Sequence, residues 1–148
     1  MNKQSHDAIA LLTQDHKEAK LLFEKFDALS DRSKSSKKKI ADEVCQALSV
    51  HAQLEEEIFY PAVRGAIKDA DLMDEAVVEH ASAKDLIAQI QDMDPGDDLY
   101  DAKIKVLSEQ IEHHVKEEES EMFPKVKKTT LDFAELGRKM LTRKSELL

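Results

Sequence analysis

The sequence predicts an all-α protein, an up-down-up-down four-helix bundle with a short C-terminal fifth helix. Three observations lead to this fold. The 148 residues contain only three glycines and three prolines, which leaves few places for turns. Charged residues make up 36% of the chain and aromatic residues 5%, so helices with polar outer faces and an aliphatic core are favoured. Apolar residues recur at intervals of three and four, as they do along one face of a helix.

The first two helices are predicted in the N-terminal half of the chain. The first runs from about Ser5 to Leu29 and is ended by the polar stretch 30–36. Its apolar face consists of Ile9, Leu12, Ala19, Phe23 and Phe26. The second runs from about Ser36 to Gly65, a glycine that provides a stop signal. Its apolar residues are Ile40, Val44, Ala47, Leu48, Ile58, Phe59 and Ala62.

The remaining helices lie on either side of the clearest loop of the chain, DPGDD at residues 94–98. The third helix is predicted from about Asp71 to Asp92, the fourth from about Asp98 to Lys128, and a shorter fifth follows Thr130. Short connections force neighbouring helices to run antiparallel, so residues 1–128 form the bundle. Residues 129–148 form a helix that packs on the bundle or on a second chain, where it would support a homodimer.

Charge and composition exclude several classes of protein. The net charge of −9 opposes binding to a nucleic acid, and the basic run Arg32–Lys39 is interpreted as a solvated loop and helix start. Cys45 is the only cysteine, so no internal disulfide can form. No apolar run of about 18 residues is present to span a membrane, and the N-terminus lacks the apolar region of a signal peptide. A cytoplasmic protein is therefore expected.

Each of the four long helices carries one histidine on its apolar face. These histidines are His16, His51, His80 and His114. In the second and fourth helices a glutamate, Glu55 or Glu118, follows one turn later on the same face. Counted along antiparallel helices at about 1.5 Å per residue, all six residues lie near one level of the bundle. A buried carboxylate without a partner is costly and two neighbouring carboxylates repel. Because a cation removes both penalties, this pattern predicts a metal site.

The chain also contains an internal repeat of its two helical hairpins. Residues 15–22, DHKEAKLL, are similar to residues 79–86, EHASAKDL, and His51–Pro61 is similar to His114–Pro124. The offsets are 64 and 63 residues, so the two hairpins are pseudo-equivalent. Pro61 and Pro124 each remove a backbone hydrogen bond and are expected to bend the second and fourth helices.

The order His, His-x-x-x-Glu, His, His-x-x-x-Glu over residues 5–128 resembles the hemerythrin-like family, the HHE cation-binding domain. The resemblance implies a non-haem di-iron centre inside a four-helix bundle, with two iron ions as the cofactor. It implies these ligands: His16 and His51 for one iron, His80 and His114 for the other, and Glu55 and Glu118 as bridges. Imidazole and carboxylate ligands suit iron, and fewer than six protein ligands per metal leave open positions.

Two departures from the oxygen carriers of this family bear on the function. Those proteins usually have a second histidine one turn before His80, where this chain has Ala76. They also commonly end the motif with an aspartate, after a longer spacing than that from His114 to Glu118. The second iron therefore lacks one protein ligand, and altered affinity, easier oxidation or sensing is expected in place of oxygen carriage. The leading hypothesis is a non-enzymatic protein that binds or senses O2, NO or peroxide.

Three other functions are weighed against this hypothesis. The alternative is a di-iron enzyme, a peroxidase, oxidase or NO-handling protein, which the open position at Ala76 favours. Small residues such as Ala19 and Ala83 leave room for a diatomic ligand but not for a large substrate, and no catalytic residue is predicted. Ferritin-like iron storage ranks lower, since the sequence has no Glu-x-x-His pair. The last alternative is a metal-free bundle that serves only as a binding surface for a partner.

The remaining polar residues near the motif are interpreted as structural. Glu56 and Glu119 are expected at the surface, and Glu79 lies off the apolar stripe of its helix. His113 or His114 could face inward, and the internal repeat indicates His114. Tyr60 is interpreted as structural, although a tyrosine near a di-iron site can be redox-active.

Overall fold

In the computed structural model, residues 7–29 and 33–148 are described, and they form five helices joined by short connections. No strand occurs in these two ranges, so the predicted all-α class is confirmed. The predicted helix start at Ser5, and Arg32 in the basic run, lie outside the described residues. Among the helices that are described, none is both long and apolar enough to cross a lipid bilayer.

The five helices are numbered in chain order. Helix α1 is Ala8–Ala28, and helix α3 is Ala70–Gln91. Helix α2 has three parts, which are Lys34–Leu54, a π-helical turn at Glu55–Phe59, and Tyr60–Ile67. Helix α4 has the same three parts, which are Tyr100–Glu117, a π-helical turn at Glu118–Met122, and Phe123–Lys127. Helix α5 is Phe133–Leu147 and corresponds to the predicted fifth helix.

Aspartate side chains cap the first turns of α1, α3 and α5. The side chain of Asp7 accepts a hydrogen bond from the backbone N–H of Ala10 at 2.7 Å. Asp69 and Asp132 accept equivalent bonds at the starts of α3 and α5. The first N–H groups of a helix have no partner within it, so each cap stabilises the start of its helix.

Helix α2 ends later than the sequence predicts. It continues through Gly65, the predicted stop, to Ile67. Lys68 then takes a left-handed conformation with a φ angle of 53°. Val63, just before the glycine, is fully buried, so packing holds this last part of the helix in place. Gly65 is therefore a helical residue.

Two clusters of apolar side chains fill the bundle, one towards each end. Buried members of the first cluster include Leu12, Leu54, Phe59, Val63, Met73, Val126 and Met140. Buried members of the second cluster include Phe23, Phe26, Val44, Cys45, Ile87, Ile90, Tyr100 and Leu107. In α1, α3 and α4 the predicted histidine lies between the segments that build the two clusters, and in α2 His51 lies beside Val50 at the boundary of the first. A buried polar layer therefore separates them.

The π-helical turns of α2 and α4 occupy equivalent positions in the internal repeat. Each turn begins at the glutamate of a His-x-x-x-Glu motif and ends just before Tyr60-Pro61 or Phe123-Pro124. In α2 the N–H of Tyr60 bonds to the C=O of Glu55, five residues earlier. A proline donates no N–H, and its ring crowds the carbonyl four residues before it. The wider turn relieves this crowding, whereas the sequence predicts only a bend.

Helix α5 packs along α1 and α2 of its own chain. Met140 is fully buried in the first cluster. Partly buried residues around it are Leu131, Phe133, Leu136 and Leu147. At the surface, Arg143 Nε lies 2.9 Å from Glu57 Oε1, and Lys144 Nζ lies 2.9 Å from Asp15 Oδ1. The apolar face of α5 is thus used within the chain, and a homodimer through this helix stays a prediction.

Replacing Gly65 by alanine should stabilise the protein by about 0.5–1 kcal/mol, because glycine in a helix interior is less favourable than alanine by that amount. Apart from its chain neighbours and the backbone of its own helix, a Cβ atom at this position would meet no atom within 4 Å. Urea unfolding of both proteins measures the difference. Gly96→Ala in the loop is the control and should change the stability little, because Gly96 is outside the helices. A less stable Gly65→Ala protein would contradict a helical Gly65.

Candidate metal centre

All six side chains that the sequence singles out lie together in the polar layer. The histidines are His16, His51, His80 and His114, and none is more than 9% exposed. Glu55 is 0% exposed and Glu118 is 1% exposed. Ionisable groups are seldom buried to this extent unless they are paired or bind a metal ion.

The first group of donor atoms comes from α1, α2 and α4. Nε2 of His16 lies 3.1 Å from Oε1 of Glu118. Nε2 of His51 lies 3.4 Å from Oε1 of Glu55. One donor atom from each of these four residues lies within 4.8 Å of the other three. A single cation could therefore contact all four.

The second group lies beside the first and uses the same two glutamates. Nε2 of His80 lies 3.0 Å from Oε1 of Glu55, and Nε2 of His114 lies 2.9 Å from Oε2 of Glu118. These four residues also bring one donor atom each within 4.8 Å of the others. Glu118 faces the first group with Oε1 and the second group with Oε2. Glu55 faces both groups with one atom, Oε1, which lies near His51 and near His80. Both glutamates are thus shared between the two groups.

Each of these histidines has a second carboxylate at its Nδ1 atom. The pairs are His16 with Glu119 at 2.7 Å, His51 with Asp15 at 3.0 Å, His80 with Glu56 at 2.7 Å, and His114 with Glu79 at 2.6 Å. A carboxylate that accepts a hydrogen bond from Nδ1–H fixes the ring orientation and leaves Nε2 facing the centre. We call Asp15, Glu56, Glu79 and Glu119 the outer carboxylates.

The outer carboxylates follow the internal repeat. Asp15 and Glu79 each precede a histidine in sequence and pair with the histidine on the next helix of the same hairpin. Glu56 and Glu119 each follow a shared glutamate and pair with a histidine of the opposite hairpin. Apolar periodicity does not identify these residues. Glu56 is half-buried and Glu119 is exposed, as expected of surface charges, but each also pairs with a histidine of the centre. The internal repeat does indicate these residues, because both halves of the chain carry a carboxylate at each equivalent position.

His113 lies outside the centre, as the repeat indicates. Its side chain is 67% exposed, and its Nε2 lies 3.2 Å from Oε1 of Glu117 and 3.6 Å from Oε2 of Glu79. The competing pair of His113 and Glu117 is therefore a surface pair, and His114 is the inward residue.

Tyr60 lies inside the second group. Its hydroxyl donates a hydrogen bond of 2.5 Å to Oε2 of Glu118 and lies 3.2 Å from Nε2 of both His80 and His114. Burial, together with the neighbouring glutamates, raises the pKa of this hydroxyl above its usual range. The equivalent residue of the repeat is Phe123, whose ring stacks on His16 with centroids 6.1 Å apart. The two groups therefore differ at this position, and the apolar pattern gave no signal for it.

Burial and charge shift the pKa values of the centre. Burial would lower the pKa of His51, but the Glu55 carboxylate and its neighbours raise it to about 10. The pKa values of His80 and His114 are also raised, because their carboxylate partners outweigh burial. Burial would raise the pKa of Glu55, but His51 above all holds it well below its usual range. In the absence of a metal, the carboxylates therefore favour a proton on His51, His80 and His114.

Several donor atoms of the first group have no hydrogen-bond partner within the described part of the chain. They are Nε2 of His16, Nε2 of His51, Oε2 of Glu55 and Oε1 of Glu118. Nε2 of His16 is close to Glu118, but not in a direction that forms a hydrogen bond. Buried polar atoms without a partner are rare in native proteins. Imidazole nitrogens with carboxylate oxygens suit a transition metal such as iron or zinc, so the residues present fit a metal ion.

A cavity of about 280 Å³ adjoins the centre on the side of the second apolar cluster, and we call it the apolar cavity. Its apolar lining includes Ala19, Leu48, Ala83, Ile87, Ile111 and Val115. All four histidines of the centre line it, whereas Glu55, Glu118 and Tyr60 do not. The cavity therefore meets the donor groups on the side away from the shared carboxylates. It is larger than the space for a diatomic ligand that the sequence suggests.

Known proteins with similar sequences and structures include two informative cases. The crystal structure of the hemerythrin HHE cation binding domain-containing protein, the Rv2633c homolog from Mycobacterium kansasii, is similar with a TM-score of 0.80 and 26% identity. The match covers 95% of this chain and 86% of that one. A DNA nickase from Nostoc sp. (strain PCC 7120 / SAG 25.82 / UTEX 2576) is 26% identical over 126 residues, which are 85% of this chain. This chain spans 35% of the length of that relative.

The family model of the hemerythrin HHE cation-binding domain matches residues 7–126. That range includes both donor groups, Tyr60 and the outer carboxylates. The matched range covers most of the sequence, and the chain therefore belongs to the hemerythrin HHE cation-binding domain family.

Proposed function

We propose that this chain is a non-haem di-iron protein that binds or senses a small ligand such as O2, NO or peroxide. The observation that carries the proposal is the pair of donor groups that share Glu55 and Glu118. Two buried carboxylates side by side repel one another unless cations lie between or beside them. Two neighbouring cations satisfy both groups at once. Membership of a cation-binding family supports the same conclusion.

The proposed ligands follow from the two groups. They are His16 and His51 for one iron, His80 and His114 for the other, and Glu55 and Glu118 as bridges between the two. Bound iron would supply the redox chemistry and the open coordination positions that a small ligand requires. The outer carboxylates hold the imidazole rings with Nε2 inward. Histidine protons must leave when a metal binds, so metal uptake should strengthen as the pH rises.

We infer that Tyr60 supplies the donor that is missing at Ala76. Its oxygen lies at 3.2 Å from Nε2 of both His80 and His114, so a cation held by these histidines has the hydroxyl close to it. Phe123 offers no donor at the equivalent place in the first group. The second iron would therefore have a phenolate ligand, and the first would not.

Protein prepared with iron should contain two irons per chain, and His51→Ala should lower this content, because His51 donates to the first group. Metal analysis with an absorption spectrum measures this, before and after reduction with dithionite and exposure to air. His113→Ala is the matched control, since that exposed histidine lies outside both shared groups. A folded wild-type protein without iron would refute the proposal.

The air-exposed spectrum also separates the possible roles. A reversible change on adding and removing oxygen would indicate a carrier. Rapid oxidation that only a reductant reverses would indicate a sensor or an enzyme.

Replacing Tyr60 by phenylalanine should abolish a visible phenolate-to-iron charge-transfer absorption in the oxidised protein, while both irons remain bound. The chain has only one other tyrosine, Tyr100, which lies in the second apolar cluster. Tyr100→Phe is therefore the control and should keep the absorption. The ligand assignment fails if Tyr60→Phe leaves the visible spectrum unchanged.

Removing an outer carboxylate should weaken metal binding by about 10–100-fold, because a histidine ligand loses the group that orients it. Glu119→Gln should act through His16, and Glu56→Gln should act through His80. Competition with a chelator measures the affinity of each protein for iron. The control is Glu57→Gln, whose carboxylate pairs with Arg143 at the surface. Affinities equal to that of the control would mean that the outer carboxylates do not support the ligands.

A di-iron enzyme, acting as a peroxidase, an oxidase or an NO-handling protein, is the second candidate. The observation that favours it is the hydrogen bond from the Tyr60 hydroxyl to Glu118. A tyrosine that keeps this proton, and does not bind iron as a phenolate, would hold an acid beside the centre. Turnover of peroxide or NO that His51→Ala abolishes would establish an enzyme. Reversible binding of either ligand without turnover would exclude one.

The nickase activity named for the Nostoc relative is not carried over to this chain. The chain spans 35% of that relative, and its net charge of −9 opposes contact with a nucleic-acid backbone. A cytoplasmic location and a homodimer through α5 also remain predictions.

A further inference from the structure

The apolar cavity is much larger than a diatomic ligand requires. Its volume is about 280 Å³. An engineered protein cavity of about 150 Å³ with apolar walls stays dry and binds benzene. The space beside this metal centre therefore exceeds the space that holds one aromatic ring.

The walls of the cavity favour an uncharged molecule. Between the histidine layer and the second apolar cluster they are built from aliphatic side chains of all four bundle helices, including Leu48, Ile87 and Ile111. Polar side chains such as Lys84 and Gln110 also line it, but both are exposed or half-buried and lie towards solvent. Asp15 and Glu79 also line the cavity, but both carboxylates are already paired, Asp15 with His51 and Lys144 and Glu79 with His114. A charged ligand inside would therefore lose its hydration with little charge left to replace it.

The cavity has a definite direction relative to the metal centre. In α3 its lining runs from His80 through Ala83 to Ile87, which is two helical turns or about 10 Å. The shared glutamates and Tyr60 are absent from the lining. Asp15 and Glu79, which pair with Nδ1 of His51 and His114, do line it. A molecule in the cavity thus lies against the histidines on the side away from the shared carboxylates.

We propose that the apolar cavity binds a small apolar organic molecule, consisting of one aromatic ring or an aliphatic chain of about six carbons, beside the metal centre. This inference rests on the proposed function, because it assigns the class of organic ligand that the centre meets. It extends that function from diatomic ligands and peroxide to an organic molecule. Binding itself depends on the cavity walls and can be measured with or without iron.

The test is a fluorine NMR titration of the full chain with fluorobenzene, in metal-free and iron-loaded samples. The wild-type protein should bind one molecule per chain. Ala83→Leu fills the part of the cavity beside His80 and should weaken binding next to the histidines by about tenfold or more. The control is Val77→Leu, which adds a methylene group at a residue of the same helix that is 54% exposed, and it should bind like the wild type.

A second variant keeps the test decisive if Ala83→Leu does not fold. Ile87→Ala enlarges the cavity, so it should bind 1-fluoronaphthalene more tightly than the wild type does. A partly folded protein can also bind naphthalenes, so the gain counts only at one molecule per chain and in a variant that unfolds as cooperatively in urea as the wild type does.

Two results would overturn the inference. One is a wild-type protein that does not bind fluorobenzene up to the solubility of the probe. The other is binding that neither Ala83→Leu nor Ile87→Ala changes, because the probe would then bind elsewhere. Iron content measured on the same samples keeps the two proposals apart. If the protein binds two irons but not the probe, only this inference is refuted. If it binds the probe but no iron, the di-iron proposal is refuted.

Discussion

The burial of Glu55 and Glu118 is the constraint on which the rest of this bundle depends. Carboxylates at 0% and 1% exposure are stable only beside positive charge, from protonated histidines or from a cation. That charge must lie at the same height in the bundle as the glutamates. The four histidines meet this requirement, and the apolar side chains consequently divide into one cluster on each side of the polar layer. The core of this protein is therefore two cores, held together by an electrostatic layer.

The surroundings of the layer restrict how its side chains can move. Every inward histidine is held at its other nitrogen by an outer carboxylate, and each shared glutamate begins a π-helical turn. Three of the outer carboxylates have further partners, since Lys84 contacts Glu56, Lys144 contacts Asp15 and His113 lies 3.6 Å from Glu79. Lys144 belongs to α5, so the C-terminal helix supports a ring of the centre through Asp15. The layer is thus connected to the surface by short chains of charged groups.

Much of this arrangement could be predicted from the sequence, and the rest could not, for physical reasons. The inward histidines and glutamates lie on apolar stripes, so periodicity together with the internal repeat separates them from surface residues such as His113. The outer carboxylates lie beside the stripes, and their roles depend on how neighbouring helices pack. The position of Tyr60 in the centre depends on the π-helical turn before it, and residue propensities do not predict that turn. The apolar cavity depends on what side chains from four helices leave unfilled, and no single residue indicates it.

The crosswise pairing of outer carboxylates has a consequence for the two hairpins. Neither hairpin can orient all of its own histidines, since Glu56 and Glu119 serve the opposite one. Two identical hairpins related by a twofold axis would satisfy this pairing equally well, but their metal positions would have to be the same. Joining the hairpins in one chain removes that symmetry requirement. The difference between Tyr60 and Phe123 uses this freedom. In the proposed di-iron centre it would let the two positions fill in a set order and take up electrons at unequal potentials.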